Sequence, residues 1–179
     1  VIFLWILAHN ILYTYIAPFL ASVGLGQRTD LVLLLFGVAS IVGLSVTGLW
    51  VDRSLRVLAL LSLALFALAA LGLAIVNADA DWVLISVVVW GLTFGGAPTL
   101  LQTAIADTAG DEADVAQSML VTLFNLAVAT GGIVGGLLLE QIGAQAFAPT
   151  VLVLALLALA VVWRARARGF TPGRRVIMP

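Results

Sequence analysis

Residues 58–76 read LALLSLALFALAALGLAIV, nineteen positions without a charged side chain. At 1.5 Å of rise per residue this run makes a helix about 28 Å long. The hydrocarbon core of a bilayer is roughly 30 Å thick. The Ser62 hydroxyl is the only polar side-chain group in the run, so no face of that helix suits water. Hydrocarbon offers no partner to a backbone N–H or C=O, so such a segment must satisfy its own groups as a helix.

The same reading extends in both directions. Apolar runs at about 1–23, 31–51, 56–77, 82–104, 115–139 and 147–163 predict six spans. The stretches between them carry turn and charge signals: GLGQRTD (24–30), DRSLR (52–56), NADAD (77–81), ADTAGDEAD (106–114) and EQIGAQ (140–145). Asp111 or Asp114 is placed to cap the helix that follows. Composition agrees, with 63% of the 179 residues hydrophobic and 9% charged. Soluble domains carry about 25% charged residues, and a small globule exposes too much surface to hide so apolar a chain. The expected fold is an all-α membrane protein, a bundle over 1–163 followed by a polar, basic tail, RARARGFTPGRRVIMP, at 164–179.

Arginine placement sets the orientation, because basic loops are retained on the cytoplasmic side. With six crossings, Arg53, Arg56, Arg164, Arg166, Arg168, Arg174 and Arg175 share one side, and Arg28 alone lies on the other. Both ends are therefore expected to be cytoplasmic. Val1 already stands inside an apolar run, without the basic start of a signal peptide. The start is read as a cut through a longer polypeptide.

Several functions are not expected. The net charge of −1 and the absence of lysine give no bulk basicity for nucleic acid. The absence of cysteine removes thiolate metal sites and cysteine nucleophiles. There is no Gly-x-Ser-x-Gly, no His-Glu-x-x-His, no phosphate loop and no metal cluster, so neither an enzyme nor a cofactor is expected. An intramembrane serine protease needs a serine and a histidine in mid-membrane. The single histidine lies near one end, and Ser40, Ser45, Ser62, Ser86 and Ser118 lack a glycine-framed context.

The spans differ in an ordered way. The first and fourth carry aromatic and polar residues and a proline (Tyr13, Thr14, Tyr15, Pro18; Trp90, Thr93, Phe94, Pro98). The second and fifth are glycine-rich (Gly37, Gly43, Gly48; Gly131, Gly132, Gly135, Gly136), and the third and sixth are almost pure Leu, Ala and Val. Gly48 precedes Asp52 by four positions, as Gly136 precedes Glu140. Three crossings are an odd number, so the second triplet is inverted relative to the first. Inverted repeats are an architecture of transporters. Greasy helices suit the lipid-facing rim. Glycine lets neighbouring backbones approach closely, and polar, proline-broken helices belong where water or solute is met.

The stretch Gly48-Leu49-Trp50-Val51-Asp52-Arg53-Ser54-Leu55-Arg56 resembles the signature loop of the major facilitator superfamily: a glycine, an Asp-Arg pair and a further basic residue. In that family the loop lies between helices two and three and recurs, weaker, between eight and nine. Position fits the second copy. Leu55 replaces the family's second glycine, and Val57 its last basic residue. Tyr13-Thr14-Tyr15-Ile16-Ala17-Pro18-Phe19-Leu20 resembles helix seven of the drug:proton antiporter and sugar-efflux branch. FNLAVATGGIVGG (124–136), with Asn125 and its glycine ladder, is similar to helix eleven. The resemblance implies the carboxy-terminal six-helix half of a twelve-helix secondary transporter in the plasma (inner) membrane. Its partners would be the lipid bilayer, an amino-terminal half, a small organic solute and protons. It would work by alternating access as proton-coupled efflux. No Asp or Glu falls in mid-span, so the coupling carboxylate is expected in the other half.

Candidate solute contacts come from helical phase. At 100° per residue His9, Asn10, Tyr13 and Thr14 share an arc of roughly 140°, with Tyr15 pointing elsewhere. Trp90, Thr93, Phe94 and Ala97 form a comparable face, and Asn125 heads a line with Ala129, Gly132 and Gly136. Asn10, Tyr13, Thr14, Trp90, Phe94 and Asn125 are the candidates for solute binding. The competing reading is polar groups bonding across helices, worth about 0.6 kcal/mol each. Gly48, Asp52, Arg53 and Arg56 are the candidate conformational clasp. Asp52 would lie against the positive end of a neighbouring helix, and Arg53 and Arg56 would pair with it or with lipid phosphate. The alternative is that they mark a cytoplasmic turn. His9 is read as interfacial or helix-bonded rather than proton-carrying, and the glycine ladder as tight packing rather than a gate. The tail arginines suit anionic lipid and topology retention equally. Two rivals to transport stand beside it, a six-helix scaffold (or decayed half-transporter) and an oligomeric channel.

Overall fold

A computed structural model describes residues 1–75, 79–167 and 169–170. Arg168, Arg174, Arg175 and most of the tail lie outside the described residues, as do the last positions of the expected third span. Among the described residues seven α-helices follow one another: α1 Ile2–Thr14, α2 Ile16–Ser22, α3 Thr29–Ile75, α4 Ala80–Gly95, α5 Ala97–Ala109, α6 Ala113–Gln141 and α7 Phe147–Arg164. Short 3-10 turns precede α3, α6 and α7, and no strand occurs among the described residues. Among the described residues three helical tracts are long and apolar enough to cross a membrane: Gly26–Ile75, Ala80–Gln141 and Ala144–Arg164. The pair α1 and α2, bent by 60°, makes a fourth candidate. The chain is an all-α membrane protein.

The breaks have local causes. Proline removes a backbone donor and its ring collides with the carbonyl four residues back. Pro18 does this to Thr14, and the helix breaks at Tyr15 (φ −109°, ψ 27°). In the second tract α4 ends at Gly95 with Gly96 as its C-cap, and Pro98 lies in the first turn of α5. Both of the polar, proline-bearing stretches are therefore interrupted just before their proline. The turn before α6 needs Gly110, whose φ is +51°. Asp111 and Asp114 do not cap α6. Its N-cap residue is Glu112, without a side-chain cap bond. The 3-10 turn Gly110–Glu112 moves the helix start past Asp111, and Asp114 falls inside the first turn. There it still faces the positive end of the helix dipole.

Helix α3 departs from helical geometry at Ser54 (φ −153°, ψ 39°). Its packing shows a reversal there. Gly43 abuts Leu92, and Gly72 abuts Ser86. Those two points are 29 residues apart on α3, about 44 Å along a straight helix, but six apart on α4, about 9 Å. Only a chain that folds back at Ser54 meets both. Two arms result, 29–53 and 55–75. The tract through α5 and α6 also folds back, with Gln117 Nε2 donating to the Gln102 carbonyl at 3.1 Å.

Two interfaces repeat one design. Gly91 approaches Phe36 and Ala39, Gly95 approaches Ser40, and Gly96 approaches Thr47, so arm 29–53 and α4 run parallel. Gly131 approaches Asn10, and Gly135 and Gly136 approach Tyr15, so α1 and α6 run parallel too. In each case missing Cβ atoms let the backbones meet where lipid gives no hydrophobic push. Tyr15 adds a bond across the second interface, its hydroxyl donating to the Gly132 carbonyl at 2.7 Å. Tyr15→Phe is expected to lower stability by about 0.6 kcal/mol, readable as a small drop in melting temperature in detergent. An unchanged melting temperature would mean that this bond adds nothing to the interface.

Arm 55–75 meets the end of α7 through Arg56, and Trp5, Phe66, Trp90 and Phe147 are all essentially buried. Helix α6 is the least buried of the long helices, its buried residues being Leu120, Ala127, Gly131 and Gly135. Arm 55–75 instead buries a full stripe including Ala59, Leu63, Phe66 and Ala70. Small residues on one face let it pack even though every face is apolar.

Candidate functional site

The break at Tyr15 and the parallel packing on α6 fix how α1 presents its polar arc. One edge of that arc turns to α4. His9 is buried and its Nδ1 accepts a hydrogen bond from Trp90 Nε1–H at 3.2 Å. The His9 ring lies flat on Phe94, with centroids 3.4 Å apart and planes 3° apart. Its neighbours are Tyr13 at 5.2 Å and Phe36 at 5.8 Å, and Phe36 meets Trp90 at 4.5 Å. Five rings from α1, arm 29–53 and α4 thus form one cluster. His9 is helix-bonded, as a bond acceptor between two spans.

The cluster has a closed side and an open side. Trp90 is 1% exposed, behind His9 and Phe36, whereas Tyr13 is 43% exposed. Phe94 is half-buried between them, and Thr14 is exposed beside Tyr13. The other edge of the arc turns to α6. Asn10 is half-buried against Gly131 and donates from Nδ2 to the Ile6 carbonyl of its own helix at 2.9 Å. Thr93, on the neighbouring face, likewise donates to the Trp90 carbonyl at 3.0 Å. Such local bonds quiet a polar group without fixing a neighbouring helix.

Asn10, Tyr13, Thr14, Trp90 and Phe94 therefore gather at one level. Asn125 does not join them. It is exposed on α6 and lies six residues before Gly131, the position level with Asn10. Six residues are about 9 Å along the helix. The phase of a single helix neither places Phe36 in this cluster nor pairs Trp90 with His9. Those contacts join residues from different spans, and one sequence carries no signal of such pairs.

The four clasp candidates sit around the reversal at Ser54. Gly48 is exposed, and a Cβ there would meet nothing within 4 Å. Asp52 and Arg53 are exposed as well. Arg56 is directed to the end of α7. Nη1 donates to the carbonyls of Val162 (2.9 Å) and Phe170 (2.8 Å), and Nη2 to that of Trp163 (2.8 Å). The last carbonyls of a helix have no partner within it, and a cation there also meets the negative end of the dipole. Among the described residues no cluster of His, Asp and Glu could hold a metal.

The sequence profile described as Major Facilitator Superfamily matches residues 1–175. The chain is 35% identical over 133 residues to the purine ribonucleoside efflux pump NepI of Escherichia coli O157:H7. The match covers 73% of this chain and 34% of that relative. The NepI proteins of Escherichia coli K12 and of Shigella flexneri are each 34% identical over 134 residues, with the same shares covered. The match thus spans about a third of the length of these curated relatives.

Proposed function

The chain belongs to the major facilitator superfamily, and from that premise we propose that it is the carboxy-terminal six-helix half of an efflux transporter for small organic solutes. The six crossings are α1 with α2, arm 29–53, arm 55–75, α4 with α5, α6, and α7. They form two inverted triplets. The observation that carries this reading is the repeated design of the packing. Exchange of the triplets turns the α1/α6 pair into the pair of α4 with arm 29–53, and both pairs are parallel and glycine-lined. The same exchange relates the interruption at Tyr15, three residues before Pro18, to the one at Gly96, two residues before Pro98.

Alternating access then proceeds by rocking of this half against an amino-terminal one around a central site. The exposed flank of α6 and the open glycine face at Gly48 are the surfaces that support such a contact, with Asp52 and Arg53 as its clasp. Tyr13, Thr14, Asn10 and Phe94 line the solute side, with Trp90 holding His9, on which Phe94 stacks, behind them and Asn125 nearer the amino end of α6. The relatives' cargo, purine ribonucleosides, suits that wall, which pairs an exposed aromatic ring with hydroxyl and amide groups. The asymmetry of the arginines supports an inner-membrane protein with both ends cytoplasmic. Efflux by proton exchange places the coupling carboxylate in the other half.

The test is counterflow of a labelled purine ribonucleoside in proteoliposomes. This chain paired with an amino-terminal six-helix half is expected to accumulate label, and the chain alone is not, because its cavity lacks a wall. Accumulation by the chain alone, or none by the pair, would falsify the proposal.

A further inference from the structure

The outer face of α7 near its carboxy end is concave and basic. A groove of about 390 Å³ is lined, among the described residues, by Leu156, Leu159, Ala160, Trp163 and Arg164. A second of about 430 Å³ continues past Arg164 along Val161 and Ala165. The first follows one helical stripe, with the small Ala160 as its floor between Leu156 and Trp163. From 156 to 164 it runs about 12 Å, most of one leaflet of roughly 15 Å. Its far end is cationic. Arg164 closes it, and the Arg166 guanidinium sits 5.3 Å from the centre of the Trp163 ring. Residues 141–179 contain no Asp or Glu. The carbonyls of Val162 and Trp163 are already held by Arg56, so Arg164 and Arg166, both exposed, are not needed to close the helix end. Tryptophan favours the headgroup level, and basic pockets at the membrane surface hold anionic headgroups.

We infer that this groove binds one anionic phospholipid, an acyl chain lying over Ala160 and the phosphate on Arg164 and Arg166. The full chain in nanodiscs of phosphatidylcholine with a minor fraction of phosphatidylglycerol, read by native mass spectrometry, tests it. Phosphatidylglycerol is expected to be retained preferentially. Arg164→Gln weakens it about fivefold, the equivalent of about 1 kcal/mol per arginine at an anionic surface, and Arg164→Gln with Arg166→Gln weakens it further. Ala160→Phe fills the groove and lowers retention with the charges intact, while the melting temperature stays that of the parent. Excess glycerol 3-phosphate does not displace the lipid. Equal retention of the two lipids, retention unchanged in the double variant or in Ala160→Phe, or displacement by glycerol 3-phosphate would each overturn the site.

Discussion

Alanine at Gly43 is expected to destabilise the bundle by about 1–3 kcal/mol, while alanine at Gly37, less than two turns earlier in the same arm, leaves it unchanged or slightly firmer. The chemistry of the two substitutions is identical, and only the surroundings differ. A Cβ on Gly43 would collide with the Leu92 carbonyl, whose carbon lies 2.7 Å from it. That carbonyl belongs to the backbone of α4, so no side chain can swing aside and the helices must separate. Gly95 is in the same position against Ser40. A Cβ on Gly37 meets nothing within 4 Å, so there alanine brings only its better helix propensity. Melting in mild detergent, or unfolding by increasing fractions of dodecyl sulfate, reads the difference. Equal stabilities for the two variants would remove the close approach of arm 29–53 to α4, and with it one of the two matched interfaces.

Loss of the Arg56 guanidinium has the second large effect. Its three bonds at 2.8–2.9 Å go to carbonyls of Val162, Trp163 and Phe170. Hydrogen bonds to a charged group contribute about 1.5–3 kcal/mol each. Arg56 is only half-buried, and water can replace part of what is lost, so Arg56→Met is expected to cost on the order of 3 kcal/mol. Lysine restores the charge but not the planar fork that reaches several acceptors at once, so Arg56→Lys should fall between. The local signature is fraying at the end of α7, seen as faster amide exchange at 162–165 and as trypsin cleavage after Arg164. A methionine variant as stable and as protected as the parent would reduce Arg56 to a marker of topology.

These bonds of Arg56 divide the signature loop into two parts. From sequence, Arg56 belongs with Asp52 and Arg53 as one clasp. In the fold it ties the start of arm 55–75 to the end of α7, and Phe170 beyond it is buried. Gly169, with φ +75°, lies against Thr108 on α5, so the same strap reaches a third element. Nothing in the spacing of Gly48, Asp52, Arg53 and Arg56 separates a residue that holds its own bundle together from residues that face outward.

His9 shows the same limit. Its phase on α1 was readable, because a helix fixes direction at 100° per residue. Its partner was not. Trp90 lies 81 residues away, and which span packs on which is decided by how several helices fit together. The glycine ladder divides likewise. Gly131 and Gly135 are pressed against α1, whereas a Cβ on Gly132 would meet nothing within 4 Å, although its carbonyl accepts from Tyr15. Spacing alone rates these glycines alike.

What the chain determines by itself is its solvent and its secondary structure. Hydrocarbon leaves every backbone group to be satisfied within its own helix, so runs such as 58–76 must be helical wherever they pack. Proline acts on the carbonyl four residues back, so Pro18 and Pro98 mark their interruptions locally. Tertiary structure decided the rest: which glycines are indispensable, which carbonyls Arg56 holds, and which rings surround His9. In a membrane every outward face is apolar, so hydrophobic patterning cannot choose a neighbour for each helix. Close backbone contact and a few directional bonds make that choice, and they exist only once the helices have met.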